Sequence, residues 1–347
     1  MIYNLQLLRF LAAFAVLCAH LILFGNSKYG LGMPQLENSA GFMMMGVDIF
    51  FIISGFIMVY TSALNERIKP RGAIKAIKTF YIKRITRIYP VWWLLCLMLL
   101  PVFLFAPTWI NSSVDAPTSF LHSLFLIPHE GVPLIVVGWT LEYELFFYLC
   151  FGLTLWLGRN LQVVALSAAA AIGIVWGQMQ GDITDPFLTI LTSRYLLYFA
   201  AGMIIALLYR REELRRYFLW MALAALPFAL FYTGTHEYES IERVRHFMPL
   251  SLNIFVLFLG LETKNIIASK AFYKWGGNIS YALYLVHILV IAAAGRLYLA
   301  LGLDAHVPFP VLAIAIGAGS LIGASILYYL YEAPLLRFLR KASHVQK

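Results

Sequence analysis

The sequence predicts an all-α integral membrane protein, a bundle of about ten transmembrane helices with both termini in the cytoplasm. Three observations lead to this prediction: the composition, the recurrence of long apolar runs and the distribution of positive charge. Hydrophobic residues make up 61% of the chain and charged residues 12%, whereas soluble domains carry about 25% charged residues. We expect residues 1–347 to form a single transmembrane domain without an appended soluble domain.

Ten apolar runs recur from one end of the chain to the other. A helix rises ~1.5 Å per residue and a bilayer core is ~30 Å thick, so the length of these runs favours helices over buried strands. The runs cover residues 5–24, 42–63, 88–106, 133–157, 161–177, 195–209, 217–233, 247–261, 279–299 and 309–330. The run 120–127 is too short to span and is predicted to be re-entrant or interfacial.

The positive charges determine the predicted orientation. Twenty of the 26 Lys and Arg residues lie in the even-numbered loops and the C-terminal tail, and three lie in the odd-numbered loops. The positive-inside rule therefore places the even loops and both termini in the cytoplasm. The net charge of +9 reflects this topology, and we expect no nucleic-acid partner.

The start of the chain and the cysteines exclude two other interpretations. No small-residue cleavage site follows the first apolar run, so we expect that run to remain as a span. Cys18, Cys96 and Cys150 all lie inside apolar runs. They are predicted to be small buried residues, and neither a disulfide framework nor a metal site is expected.

Two ionisable residues interrupt the first span. Arg9 and His20 are eleven residues apart, which at ~100° per residue places both on one helix face, ~16 Å apart along the axis. A charge deep in a membrane helix costs ~2.5–3.5 kcal/mol on insertion scales. Arg9 could reach the near interface and His20 could be an interhelical hydrogen-bond partner. The alternative is a functional stripe that faces a polar partner or a cavity.

The second span contains GVDIFFIISGF, which begins at Gly46. Gly55, with Ser54 beside it, permits the close approach of another backbone or of a ligand. Asp48 lies near the outer end, either at the interface or as the partner of a buried cation. A packing seam of small residues is the simpler interpretation of this segment.

Before the third span, Lys83, Arg84 and Arg87 share about one helical turn at the cytoplasmic mouth. A basic turn of this kind commonly meets anionic lipid. The sharper hypothesis is a phosphate site, because the planar fork of arginine matches phosphate oxygens.

Carboxylates and a second histidine occur in later spans. Glu142 and Glu144 of the fourth span are two residues apart, ~200° around a helix, so they cannot share a face. If Glu144 is aligned with His20, it would hold the imidazole and stabilise its cation. His287 is expected to form a structural hydrogen bond. Glu332, near the cytoplasmic mouth, could pair with the basic turn.

Six motifs in chain order resemble those of the acyltransferase-3 family of bacterial membrane O-acyltransferases, and within it the exopolysaccharide-production type. They are Arg9 with His20, the segment from Gly46 to Phe56, Lys83–Arg84–Ile85–Thr86–Arg87 with Lys83 in place of an Arg, Trp139–Thr140–Leu141 with Glu144, the segment from Gly277 to His287, and Glu332–Ala333–Pro334. The resemblance extends over nearly the whole chain.

The resemblance implies transfer of an acyl group, usually acetyl, from cytoplasmic acyl-CoA to a sugar hydroxyl of a polysaccharide or of its lipid-linked precursor. It implies a bacterial inner-membrane enzyme with acyl-CoA as co-substrate and no permanently bound cofactor. The basic turn would meet the phosphates of coenzyme A, and Arg9 would steer the pantetheine arm. His20 would be the general base, and Ser54 or backbone amides near Gly55 would supply oxyanion donors.

Two other classes of function remain open from the residues alone. Buried His, Glu and Arg also mark the proton relays of transporters, although no inverted repeat is visible. A scaffold within a polysaccharide-synthesis complex would leave the charges inside the spans without a role.

Overall fold

The computed structural model describes residues 1–29, 36–62, 70–112, 116–234 and 243–342, and this part of the chain is all-helical. Part of the basic second loop and the end of the C-terminal tail, counted above for orientation, lie outside the described residues. The α-helices are α1 Tyr3–Tyr29, α2 Glu37–Met43, α3 Met45–Thr61, α4 Pro70–Phe105, α5 Phe120–Phe125, α6 Trp139–Leu153, α7 Arg159–Gln180, α8 Pro186–Leu191, α9 Leu196–Tyr209, α10 Glu212–Arg215, α11 Phe218–Gly234, α12 Arg243–Thr263, α13 Lys270–Ala300, α14 Phe309–Ile326 and α15 Ala333–Ala342.

Among the described residues, nine helical segments are long and apolar enough to cross a membrane. Each overlaps one of the ten predicted runs, and several begin or end about ten residues away from the predicted bounds. The tenth run, 217–233, forms a shorter apolar helix, Phe218–Thr233. The prediction of a multi-spanning helical bundle is therefore confirmed, with nine long spans and one short apolar helix in place of ten long ones.

Helix α1 packs against α3 and α13. Small residues allow the close approach. A side chain at Gly46 of α3 would collide with the backbone of Ala12 in α1. A side chain at Gly276 of α13 would collide with Phe10. These contacts bring the polar residues of three helices into one region of the interior.

The predicted short segment after the third span is a six-residue helix, α5, that is anchored to α4. Trp92 Nε1, Trp93 Nε1 and the Tyr89 hydroxyl donate hydrogen bonds of 2.8–2.9 Å to the carbonyls of residues 123–125. Leu126 then adopts a left-handed conformation, with φ of 52°. Because α4 satisfies its C-terminal carbonyls, a helix too short to span is stable beside the bundle.

The last apolar segment ends in a π-helix, Leu327–Glu332, before α15 begins. π-helical turns are rare and occur frequently at functional sites. Here the turn ends at Glu332, which is 2% exposed and lies beside Arg87 of α4. We call the end of the bundle that holds Arg84, Arg87 and Glu332 the basic end.

Candidate active site

A cavity of about 140 Å³ lies inside the bundle, with walls from α1, α3, α4, α6 and α13. Three arginines line it, Arg9 of α1 and Arg84 and Arg87 of α4, and we call it the arginine cavity. Ser54 of α3 and Glu144 of α6 are also on its wall. Since cations inside a helix bundle are costly without partners or a ligand, this is the candidate active site.

The two arginines of α4 have different surroundings. Arg87 Nη1 donates to Glu332 Oε1 across 2.6 Å, so the predicted pairing of Glu332 with the basic turn is present. Arg84 lies over the rings of Phe80 and Tyr148, with its guanidinium carbon 5.5 Å from each centroid. The Nε of Arg84 is buried and forms no hydrogen bond within the described residues.

Arg9 makes no hydrogen bond or ion pair with any residue that the structure describes, although it lines the cavity. A guanidinium is a set of donors in a fixed fork. Arg9 and the Nε of Arg84 are therefore donors that a bound anion or carbonyl could satisfy. Lys83, predicted with the phosphate site, is exposed and does not line the cavity.

Glu144 is held by hydroxyl groups on the cavity wall. Ser54 Oγ donates to Glu144 Oε1 across 2.5 Å, and the Tyr148 hydroxyl donates to the same oxygen. Glu142 does not line the cavity and is buried elsewhere, with its Oε1 unpaired among the described residues. The ~200° separation of these two carboxylates around a helix thus places only Glu144 in the candidate site.

His20 has a different partner from the one expected. Its Nδ1 lies 3.0 Å from the Val16 carbonyl and 3.1 Å from His287 Nε2, and the described hydrogen bonds of Glu144 are to Ser54 and Tyr148. The predicted contact between Glu144 and His20 is therefore corrected to one between His287 and His20.

The register of α1 against α3 explains this correction. Gly46 of α3 packs on Ala12 and Val16 of α1. Ser54, the partner of Glu144, follows Gly46 by eight residues, ~12 Å along the helix toward the basic end. His20 lies beyond Val16 in the opposite direction. The carboxylate and the imidazole therefore sit at different depths of the bundle.

The far end of the arginine cavity approaches the histidine pair. Val47 and Tyr284 line the cavity, and Tyr284 lies 6.0 Å from His287 between ring centroids. The Tyr284 hydroxyl is hydrogen-bonded to Thr140 Oγ1 at 2.9 Å. Arg9 and His20 share one helix, but only Arg9 lines the cavity, and His20 lies past its far end.

The comparisons with known proteins agree with the motifs found in the sequence. The family model described as an acyltransferase domain matches residues 2–329. The chain is 30% identical over 301 residues to the exopolysaccharide production protein ExoZ of Rhizobium meliloti (strain 1021). The aligned region covers 84% of this chain and 89% of that protein. The chain belongs to the acyltransferase-3 family. No solved structure matches it.

Family membership gives the arginine cavity a chemical context. An acyltransferase needs a site for the activated donor, a base for the acceptor and donors for the developing oxyanion. The motif residues Arg9, Arg84, Arg87 and Glu144 come from three helices and meet at the cavity. A donor with anionic and carbonyl groups is the class of ligand that these side chains can hold.

Several secondary candidates lie away from the cavity. Asp48 is fully buried near the start of α3, and Trp139 packs against the rings of Tyr143 and Tyr195. A Cβ at Gly55 would overlap the backbone of Phe199 in α9. This glycine therefore packs α3 tightly against α9, and the oxyanion role expected for Ser54 or for the backbone amides near Gly55 stays a prediction.

Three tyrosines line the cavity, Tyr148, Tyr281 and Tyr284, and none of them was singled out in the sequence. Tyr148 follows Glu144 by four residues, so helical periodicity places both on one face and could have identified it. Tyr281 donates its hydroxyl to the Ile88 carbonyl across 2.9 Å and packs beneath the Arg87 guanidinium. Nothing in an apolar run marks such a tyrosine, because its partner lies on a different helix.

Proposed function

We propose that this acyltransferase moves an acyl group, in the first instance acetyl, from acyl-CoA to a sugar hydroxyl of a polysaccharide or of its lipid-linked precursor. The observation that carries the proposal is the convergence of Arg9, Arg84 and Arg87 on one cavity inside the bundle. The similar protein from Rhizobium meliloti is named for exopolysaccharide production, which supports a saccharide acceptor.

The donor enters the arginine cavity from the basic end. Coenzyme A carries several phosphates on its nucleotide portion, and arginine is the side chain that matches phosphate oxygens with a planar fork. Arg84 is the first contact for these phosphates, with Arg87 beside it. Arg9 lies on α1 and contacts the pantetheine arm, whose amide carbonyls accept hydrogen bonds from the N–H groups that have no partner in the described part of the chain.

The acyl group then reaches His20. Arg9 and His20 are ~16 Å apart along α1, and the slender pantetheine arm spans the interval past Tyr284. His20 takes the proton of the acceptor hydroxyl as the hydroxyl oxygen attacks the thioester carbonyl carbon. The carbon–sulfur bond breaks, the coenzyme A thiolate leaves, and the proton on His20 returns to that sulfur.

In the proposed orientation, the donor and the acceptor reach the site from opposite sides of the membrane. The basic end faces the cytoplasm, where acyl-CoA is present, and His20 lies toward the outer face of a bacterial inner membrane. Asymmetry in Lys and Arg among the loops supports this arrangement. A polysaccharide-synthesis complex would supply the acceptor from the outer side.

The deciding experiment combines donor turnover with analysis of the product. The full chain in lipid nanodiscs, given radiolabelled acetyl-CoA and lipid-linked saccharides extracted from the host, is expected to transfer label to the saccharide. Mass spectrometry of host polysaccharide with and without the gene should show loss of the acyl group in the deletion strain. A protein that neither transfers nor hydrolyses acetyl-CoA, yet moves a saccharide across vesicles, would instead be a transporter.

A further inference from the structure

His287 is a buried histidine that does not line the arginine cavity. It lies on α13, is 0% exposed, and its ring centroid is 5.1 Å from that of His20. Both of its ring nitrogens have partners: Nδ1 is 3.0 Å from the Leu283 carbonyl, and Nε2 is 3.1 Å from His20 Nδ1. A fully buried imidazole with this pair of contacts has a restricted choice of proton positions.

The contacts determine which nitrogen carries each proton. A carbonyl oxygen only accepts, so His287 Nδ1 bears the hydrogen and donates it to Leu283. A neutral imidazole has one N–H, so His287 Nε2 is an acceptor. His20 Nδ1 is therefore the donor in the contact between the rings. The Val16 carbonyl, 3.0 Å from the same nitrogen, also requires a donor there.

This arrangement leaves the lone pair of His20 on Nε2, which makes no hydrogen bond with any residue that the structure describes. We infer that His287 is a positioning residue that holds His20 in the tautomer whose Nε2 can take the proton of the acceptor hydroxyl. The inference rests on the proposed role of His20 as the base. It assigns to a neutral histidine the task that a buried carboxylate performs in other catalytic dyads and triads.

The effect of His287 increases as the reaction proceeds. When His20 Nε2 accepts the proton, the ring becomes a cation and its Nδ1–H becomes a charge-assisted donor, about twice as strong as a neutral one. The Val16 carbonyl already accepts a backbone hydrogen bond within α1. His287 Nε2 is therefore the acceptor available for this stronger bond. An interaction that strengthens with developing charge raises kcat and leaves the KM for the donor nearly unchanged.

Two substitutions separate positioning from packing. His287→Leu removes the acceptor, and His287→Gln keeps a carbonyl oxygen near the place of Nε2. With acetyl-CoA and extracted lipid-linked saccharides, His287→Leu should lower kcat by about 10- to 100-fold, the size expected for one hydrogen bond to a charged group. The KM for acetyl-CoA should stay within about twofold, and His287→Gln should recover most of the rate. His306→Leu, at an exposed loop position, is the matched control.

A double-mutant comparison distinguishes this inference from the role of His20 itself. In a His20→Gln background, adding His287→Leu should cause no further loss, because a positioning residue acts only through its partner. A further loss there would overturn the inference. An inactive His20→Gln variant with an unimpaired His287→Leu variant would overturn it too, while the base role of His20 would stand. Full activity of His20→Gln would instead contradict the proposed function of His20.

A measurement on the unaltered protein covers the case in which a His287 variant does not fold. Nitrogen-15 solid-state NMR of the histidine-labelled chain in lipid reports which ring nitrogen carries hydrogen, and the His20 signal is identified by its absence in His20→Gln. The expected result is hydrogen on His20 Nδ1 and none on Nε2. Hydrogen on Nε2 in the resting protein would overturn the inference.

Discussion

Arg84 presents its guanidinium to the arginine cavity over two aromatic rings and has no acidic partner among the residues that the structure describes. The guanidinium of Arg87 forms an ion pair with Glu332, which is nearly fully buried. Removing Arg87 would therefore leave an uncompensated buried carboxylate, at a cost of about 3–5 kcal/mol in comparable cases. Arg84 is the better position for testing donor binding, since its loss leaves no such charge behind.

Arg84→Gln is expected to raise the KM for acetyl-CoA by about tenfold or more, since a hydrogen bond to a charged group contributes about 1.5–3 kcal/mol. The KM should also become less sensitive to salt, because one phosphate contact is lost. Lys83→Gln removes a charge from the same helical turn outside the cavity and should change the KM much less. Equal effects of the two variants would show that the turn acts only through its net charge.

His20→Gln tests the base directly. Glutamine keeps a hydrogen-bonding group but cannot take up a proton, whereas histidine has an unperturbed pKa of ~6.5 and can. The variant is expected to insert normally, to bind coenzyme A, and to lose acyl transfer by at least ~10², the lower end for general acid–base catalysis. Binding is measured by calorimetry in nanodiscs and transfer with radiolabelled acetyl-CoA. Substantial transfer at normal abundance would contradict the base role.

Periodicity within a helix predicted which residues share a helix face, and contacts between helices could not be predicted in the same way. The angular separation of Glu142 and Glu144 correctly implied that at most one of them faces a given site. The partner of Glu144 depends on where α1 and α3 touch, which is at Gly46. A shift of two helical turns would have changed that partner, and no spacing along one segment contains this information.

At the scale of helices, the crossing of α3 and α9 positions one wall of the arginine cavity. Gly55 of α3 lies against the backbone of Phe199, and Gly202 of α9 lies against the backbone of Ile52. These reciprocal contacts make the helices approach at backbone distance, as small residues do in membrane bundles. Ser54, next to Gly55, is thereby held toward Glu144.

Gly202→Ala is expected to lower stability even though alanine is favoured over glycine in a helix by about 1 kcal/mol. The added Cβ would overlap the Ile52 carbonyl of α3, and backbone cannot move aside as a flexible side chain can. Gly317→Ala on α14 is the matched control, because a Cβ there meets nothing within 4 Å. Thermal unfolding in detergent should show a decrease in midpoint for Gly202→Ala and no decrease for Gly317→Ala. If Gly202→Ala left the unfolding midpoint unchanged, the two helices would have to move apart at little cost, and the expected clash would be contradicted.

The glycines of α3 and the short helix α5 show which structural features could be predicted from the sequence. Gly46 and Gly55 were visible in the sequence as small residues, and either packing or ligand approach would explain them; the contacts with α1 and α9 are packing contacts. The segment 120–127 was recognised as too short to span. Its anchoring by Trp92 and Trp93 could not be predicted, because aromatic residues near the end of a span are also typical of interface belts.

At the scale of the whole molecule, charge and chemistry favour the same orientation. Arg84 and Arg87 lie at the basic end, and the even-numbered loops carry most of the positive charge. A donor that is anionic and cytoplasmic would meet these groups first. The histidine pair lies farther from that end along α1 and α13, on the side from which an extracytoplasmic saccharide would arrive.

The orientation can be tested with single cysteines at two exposed positions between apolar helices, Asp304 and Glu213. Asp304 lies between α13 and α14, in a loop predicted to be outside, and Glu213 lies in α10, which is predicted to be inside. A membrane-impermeant maleimide added to intact spheroplasts should label Asp304→Cys at once and Glu213→Cys only after permeabilisation. The parent for both variants replaces Cys18, Cys96 and Cys150 by alanine. Labelling of Glu213→Cys alone in intact spheroplasts would show that the bundle has the opposite orientation. The arginine cavity would then open on the wrong side for cytoplasmic acyl-CoA.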